Sequence, residues 1–259
     1  MPLLQTDAVT IRFGGLTAVS EFTLSMEPHE LVGLIGPNGA GKTTIFNMLT
    51  GVYKPSEGEI QIAGTPTRHL KTPQIAALGV ARTFQNIRLF KELNVLDNVK
   101  IGGHMHNRYS VATAFLHTAH FGQREEAAER EALDLLKIFD LHARAHDLAR
   151  NLSYGDQRRL EIARALAARP KLLLLDEPAA GLNTGETIEL MEKIHEIRDR
   201  FGLAILLIEH NMELVMGICE RILVLNFGRT IAEGTADEVR GNPVVIEAYL
   251  GEPAEAAAL

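Results

Sequence analysis

Apolar positions along this chain fall into two alternating stretches, several short unbroken runs and a long middle section with helical spacing. VTIRF (9–13) and AVSEFTLSM (18–26) alternate or nearly alternate, which predicts antiparallel strands. LVGLI (31–35) is a short apolar run of the kind a fully buried strand shows, and a helix is expected from Lys42 to about Thr50. KPSEGEIQIAG (54–64) reads as a turn and then a strand of alternating isoleucines, and LGVARTFQ (78–85) as a further strand. From about Leu93 to Ala168 helical periodicity takes over, in NVLDNVKI, EEAAEREALDLLKIFDL and DQRRLEIARALAA. Strand-like runs return with LLLLDE (172–177) and LAILLIEH (203–210), separated by a helix over about 184–200. RILVLNFGRTIAEG (221–234) predicts a hairpin turning at Asn226–Gly228.

The implied fold class is α/β: a mixed sheet core with an antiparallel β subdomain and an inserted helical lobe. Residues 1–92 and 169–250 form the core, 93–168 the lobe, and 251–259 a tail expected to fray. No internal repeat is visible, so a single unit is expected. The 259 residues, 46% of them hydrophobic, suffice for one large domain with a smaller lobe.

Composition then narrows the setting. A net charge of −7 does not suggest a broad nucleic-acid surface, so no nucleic-acid partner is expected. A lone Cys219 cannot form an intramolecular disulfide and fits a reducing compartment; in the apolar stretch MGICERILVL it reads as small core filler. MPLLQTDAVT lacks a basic start and a long apolar stretch, so no signal peptide is expected. The longest apolar runs are strand-length, well short of the roughly 20 residues a membrane span requires.

The candidate chemistry begins between the apolar run 31–35 and the helix that follows. Gly36-Pro37-Asn38-Gly39-Ala40-Gly41-Lys42-Thr43 fits G-x-x-x-x-G-K-[ST] in a strand–helix context, with Thr44 following. Glycines let the backbone curl so that successive N–H groups point inward at phosphate oxygens, and the helix adds the positive end of its dipole. In such a loop Lys42 is expected to reach the β- and γ-phosphates and Thr43 to ligate Mg²⁺. Asp176 and Glu177 close a buried strand: in P-loop enzymes the first sits near the Mg²⁺, and the second points differently, as a candidate general base. Alone, such an acidic pair is commonplace; the upstream phosphate loop gives it weight.

The stretch NLSYGDQRRLEIARALAARPKLLLLDEPAAGLN (151–183) resembles the ATP-binding-cassette family, with a Leu-Ser-x-Gly signature opening a helix directly upstream of the acidic strand. Gln85 in TFQN is similar to that family's Q-loop, His210 in LLIEHN to its switch histidine, and Phe13 to the aromatic that stacks on adenine. The resemblance covers essentially the whole chain and implies a P-loop ATPase with ATP and Mg²⁺ as cofactors. It implies that Gln85 contacts Mg²⁺ and water, that His210 touches the γ-phosphate, and that Ser153 and Gly155 present a second anion site to ATP held by another subunit. Tyr154 stands where the family usually has a second signature glycine, Asp156 precedes Gln157, and Asn183 stands where many members have Asp. The first difference bears on backbone flexibility beside the phosphate, the last on a contact between subunits.

ARTFQNIRLF, LIEHNMELVM and NPVVIEAYLGE, with the extended segment 101–124, resemble the G-type ATP-binding subunit of branched-chain amino acid importers. That implies a second ATPase subunit, identical or related, integral-membrane permeases, an indirectly coupled substrate-binding protein, and a peripheral place on the cytoplasmic face of the plasma membrane. Related cassettes serve urea, amides, or lipid and lipopolysaccharide transport, and others are soluble non-transport ATPases; the transported molecule never touches such a chain. Two stretches stay open. His104, His106, His117 and His120 fit a metal site or a surface loop, the loop being favoured for want of a nearby Cys or fixed carboxylate. NIRLFKEL, with Leu89, Phe90 and Leu93, fits a docking face for a membrane subunit or ordinary core packing.

Overall fold

The structure is a computed structural model describing residues 1–105 and 119–250. The chain opens with strands β1 (Leu4–Phe13), β2 (Leu16–Met26) and β3 (Leu31–Ile35), followed by helix α1 (Lys42–Leu49). Strands β4 (Glu57–Ile62) and β5 (Thr65–Pro66), helix α2 (Thr72–Ala77) and strand β6 (Val80–Arg82) come next. Helices α3 (Val95–Gly102), α4 (Ala119–Ile138) and α5 (Tyr154–Ala167) occupy the middle. Strand β7 (Leu172–Asp176), helix α6 (Thr184–Phe201), strand β8 (Ala204–Ile208) and helix α7 (Met212–Ile218) lead to strands β9 (Arg221–Asn226) and β10 (Arg229–Gly234). Helices α8 (Ala236–Arg240) and α9 (Pro243–Leu250) end the described chain. The predicted tail at 251–259 and most of the histidine-bearing segment 103–120, His106 and His117 included, lie outside the described residues.

Two sheets form. One is antiparallel, in the order β2-β1-β4-β5; the other is mixed, in the order β10-β9-β3-β8-β7-β6, with only β10 antiparallel to its neighbour. The runs 31–35, 172–176 and 204–208 are buried along their whole length, which is why they carry no polar alternation. Alternate residues serve opposite faces. Leu173 and Leu175 join Ile205 and Leu207 in a core shared with α3 to α7, whereas Leu172 and Leu174 join Leu206 and Ile208 in a core with α1 and the antiparallel sheet. At roughly 1.5–3 kcal/mol for each large side chain fully buried, these central strands hold the two cores on either side of one sheet.

Register decides where the strands end. Leu34 pairs with Ile208, Ile208 with Asp176, and Arg82 with Leu174, so the carboxyl ends of β3, β8, β7 and β6 open on one edge. In a parallel sheet that edge is where ligands bind. The expected strand at 78–85 shrinks to Val80–Arg82. Past Arg82 the last backbone-to-backbone bond to β7 among the described residues runs from Thr83 N–H to Leu174 O (3.0 Å), and the Phe84 and Gln85 carbonyls turn instead to Arg158. The predicted hairpin turns at Phe227 and Gly228, both with positive φ (+43° and +77°), the two-residue turn that matches strand twist. Gly228 ties this turn to the loop before α1: its N–H donates to Ala40 O (2.9 Å) and its carbonyl accepts from Ser20 N–H (2.8 Å).

Gly33, in the middle of β3, lets α7 lie against the sheet. A Cβ there would stand 2.8 Å from Val215 Cγ1 and 3.1 Å from Cys219 Sγ. Cys219 is buried in this contact, and burial pushes its thiol pKa up, which suits packing and not nucleophilic chemistry. Gly33→Ala is expected to destabilise the protein by about 1–3 kcal/mol through overpacking, read as a lower midpoint of urea denaturation.

Candidate functional site

The loop after β3 is shaped by three positive-φ glycines: Gly36 (+150°), Gly39 (+78°) and Gly41 (+107°). Gly36 has a second reason to lack a side chain, since a Cβ would stand 2.0 Å from Leu225 O. Gly41 caps α1, and the first N–H used inside the helix is that of Ile45, to Gly41 O (3.0 Å). The N–H groups of Lys42, Thr43 and Thr44 therefore precede the first intrahelical bond, at the positive end of the helix dipole. Lys42 folds back over the loop, its Nζ donating to the carbonyls of Gly36 (2.6 Å) and Pro37 (2.9 Å). Burial lowers its pKa, while the carboxylates of Glu177 and Asp176 pull the other way. Asn38, Gly39 and Thr43 are exposed beside it.

Asp176 ends β7 and is almost fully buried, its Oδ2 2.8 Å from Arg82 Nη2. The Asp176 N–H donates to Thr83 Oγ1 (3.3 Å). Arg82, on the neighbouring strand end, also donates to Asn47 Oδ1 (2.7 Å) and lies between the rings of Phe46 and Phe84. Burial raises the Asp176 pKa even so, with Arg82 opposing the shift. Sequence reasoning missed Arg82; its place as the last residue of β6, on the strand beside β7, was concealed by the overlong strand expected there.

Glu177 leaves the strand at φ +49°, a conformation that turns its side chain away from that of Asp176. Its N–H donates to Ile208 O (2.8 Å). Its Oε2 accepts from Gln85 Nε2 (2.8 Å) and lies 3.8 Å from His210 Nδ1. Three candidates singled out separately along the chain thus meet at one carboxylate oxygen. Glu209, beside the histidine, was not anticipated. It is buried, its Oε1 accepts from Ala179 N–H (2.8 Å), its Oε2 accepts from His210 N–H (3.3 Å), and burial raises its pKa. It fastens the loop after Glu177 to the strand end carrying His210. The available signal was an acid closing the apolar run LAILLI.

Phe13 closes β1 half-exposed, with Tyr53 edge-on at 5.2 Å between ring centroids. Tyr53, the second half of this aromatic pair, was also missed. Ser153 caps α5, its Oγ accepting from Asp156 N–H (3.1 Å), and is exposed. A Cβ on Gly155 would meet Glu186 Oε1 at 3.0 Å, and the Gly155 N–H lies in the first turn of α5. Among the described residues no hydrogen bond joins Ser153 to 36–44, so the structure does not bring the signature to the phosphate loop within one chain. Asn183 caps α6 in a reciprocal arrangement with Glu186, a role Asn fills as well as Asp. Of NIRLFKEL, Leu89 packs against the core and Phe90 is half-exposed.

The ABC transporter family model matches residues 19–180, and the model described as branched-chain amino acid ATP-binding cassette transporter matches residues 229–255. The high-affinity branched-chain amino acid transport ATP-binding protein LivG of Escherichia coli (strain K12) is 49% identical, covering 97% of this chain and 98% of that protein. The corresponding protein BraF of Pseudomonas aeruginosa is 46% identical over the same shares. Among solved structures, the ADP conformation of MJ1267, an ATP-binding cassette of an ABC transporter, superposes with a TM-score of 0.84 at 29% identity, covering 97% of this chain and 100% of that one.

Arg82→Ala leaves Asp176 buried without its counter-charge and is expected to cost about 3–5 kcal/mol at neutral pH. Burial already favours the protonated acid, and removing Arg82 raises the folded-state pKa further. The loss is therefore full above the variant's folded-state pKa and shrinks as the pH falls through it, because the unfolded-state value is common to both proteins and cancels. Denaturant titrations of both proteins across pH 4 to 8 measure it.

Proposed function

The chain belongs to the ABC transporter family of ATP-binding cassettes, and from that premise we propose that it is the ATP-hydrolysing subunit of a branched-chain amino acid importer. The observation that carries the catalytic part is the convergence of Gln85 Nε2 and His210 Nδ1 on Glu177 Oε2, on the strand edge that also carries Lys42. The transported class is supported by the names of the most similar relatives and by the match of the C-terminal segment. The same match favours this reading over lipid, lipopolysaccharide or urea transport.

In this reading Phe13 and Tyr53 take the adenine. The N–H groups of residues 38–44 and the Lys42 ammonium take the β- and γ-phosphates, Lys42 exchanging its two carbonyl acceptors for phosphate oxygens. A Mg²⁺ fits the donor set. The Thr43 hydroxyl is exposed at the start of α1, the amide oxygen of Gln85 is left over once its nitrogen serves Glu177, and Asp176 keeps an oxygen besides the one facing Arg82. Such an ion neutralises charge on the phosphates. Glu177 accepts the proton of the attacking water, Gln85 fixes the rotamer of that carboxylate, and His210 orients on the same oxygen. Exposed Ser153, at the N-terminus of α5, meets the γ-phosphate of ATP held by a second ATPase subunit. Phe90 gives the exposed apolar contact for a membrane permease. Among the described residues no helix is long and apolar enough to cross a membrane, which suits a peripheral subunit at the cytoplasmic face. A substrate-binding protein delivers the amino acid on the far side.

The test is ATP-driven uptake of labelled leucine into proteoliposomes holding this chain with its permease subunits. Accumulation is expected with the wild type. Lys42→Ala is expected to abolish it, with ATP affinity reduced about 10- to 150-fold for the lost charge-assisted contact. ATP-driven transport that excludes leucine, isoleucine and valine overturns the assignment.

A further inference from the structure

Helix α5 carries more than the Ser153 cap. Tyr154, Arg158, Glu161 and Arg164 recur at helical spacing along one face, and that face is laid against the segment carrying Gln85. Arg158 Nη1 donates to Phe84 O (2.9 Å), and Arg158 Nη2 donates to Gln85 O and to the Tyr154 hydroxyl (2.8 Å). Glu161 Oε1 accepts from Arg88 N–H (3.1 Å), and Arg164 Nη1 donates to Arg88 O. Residues 84–88 thus take backbone hydrogen bonds from charged side chains of one helix, where a strand neighbour would otherwise supply them.

The side chains of Arg158 and Glu161 are only 3% and 2% exposed, 3.6 Å apart. Apolar residues at these places would pack at less desolvation cost. What the buried ions supply is direction, because a guanidinium forks to several acceptors in one plane and fixes the peptide it holds. Gln85 is then gripped at both ends, its carbonyl by Arg158 and its side-chain amide by Glu177. At the other end of the fork, Tyr154 adjoins Ser153, and its ring lies where a side chain on Gly181 would go, 2.9 Å from the ideal Cβ. Gly181 belongs to the loop that follows Glu177 and leads to α6.

We propose that Arg158 is a positioning residue for ATP hydrolysis: through Tyr154 it links the Ser153 cap to Gln85, and so sets the Gln85 amide against Glu177. The proposal rests on the reading of Glu177 as the base. Tyr154, where the family usually has glycine, supplies the hydroxyl that completes the fork.

The experiment is a double-mutant cycle in the assembled transporter, with kcat for ATP and nucleotide affinity measured for Arg158→Lys, Gln85→Ala and the pair. Lysine keeps the charge and loses the fork. Arg158→Lys is expected to lower kcat by about tenfold or more, the loss of charge-assisted hydrogen bonds, with ATP affinity within about twofold of wild type. Added to Gln85→Ala it is expected to lower kcat by less than about twofold further, because the two act through one group. A merely structural role predicts multiplying losses and weakened ATP binding, and either result overturns the proposal. Gln85→Ala with unchanged kcat overturns it by removing the Glu177 reading beneath it, a separate and recognisable outcome. Should Arg158→Lys fail to fold, Tyr154→Phe removes one hydroxyl from a half-exposed ring and runs the same cycle, with an expected loss of about two- to fivefold that Gln85→Ala masks.

Discussion

Parallel pairing of β3 with β8 and of β8 with β7 is the constraint on which the rest depends. Leu34, Ile208 and Asp176 stand level across the sheet, so the loops leaving all three strands start from the same height. Each strand buries both faces. A slip of one residue would exchange the leucines serving the α-helical core with those serving the core under the antiparallel sheet. The hydrophobic effect thereby fixes the relative positions of Lys42, Glu177 and His210, which lie far apart in the chain. Gln85 joins them because β6 pairs alongside β7.

Around this edge the protein buries charge in matched sets. Arg82 answers Asp176, Arg158 and Arg164 answer Glu161, and Glu209 is held by two backbone N–H groups. Each removes ions from water at a cost that apolar residues would avoid. Each also fastens a segment that must hold its place: the end of β6, the Gln85 segment, and the loop between Glu177 and α6. Glu177 itself stays partly open, with 16% of its side chain exposed, and is held by neighbours and not by burial.

Much of this was legible in the chain because both faces of the central strands are buried. LVGLI, LLLLDE and LAILLI appear as unbroken apolar runs for that reason, and the glycine spacing before Lys42 marks a turn few other sequences make. The stretch at 78–85 misled because its strand ends where side chains of α5, more than 70 residues away, capture the backbone. Arg82 and Tyr53 went unrecognised for a related reason: each acts through a partner distant in sequence, and a lone Arg or Tyr carries no local pattern. The short helix α8 was overlooked although Thr235 and Glu238 form a capping box, a signal that was there to be used. Ser153 and Tyr154 are a further case, since the hydroxyl of Tyr154 matters only once Arg158 is seen beneath it.

The central claim is that one carboxylate, gathered with Gln85 and His210 by strand register, takes the proton from water while the phosphate loop does the binding. ATP turnover and ATP affinity of Glu177→Gln, measured side by side in the assembled transporter, test it most directly. The account predicts a fall in kcat of about 10²- to 10⁴-fold with affinity within about twofold of the parent. A variant that hydrolyses ATP at more than about half the parental rate contradicts it.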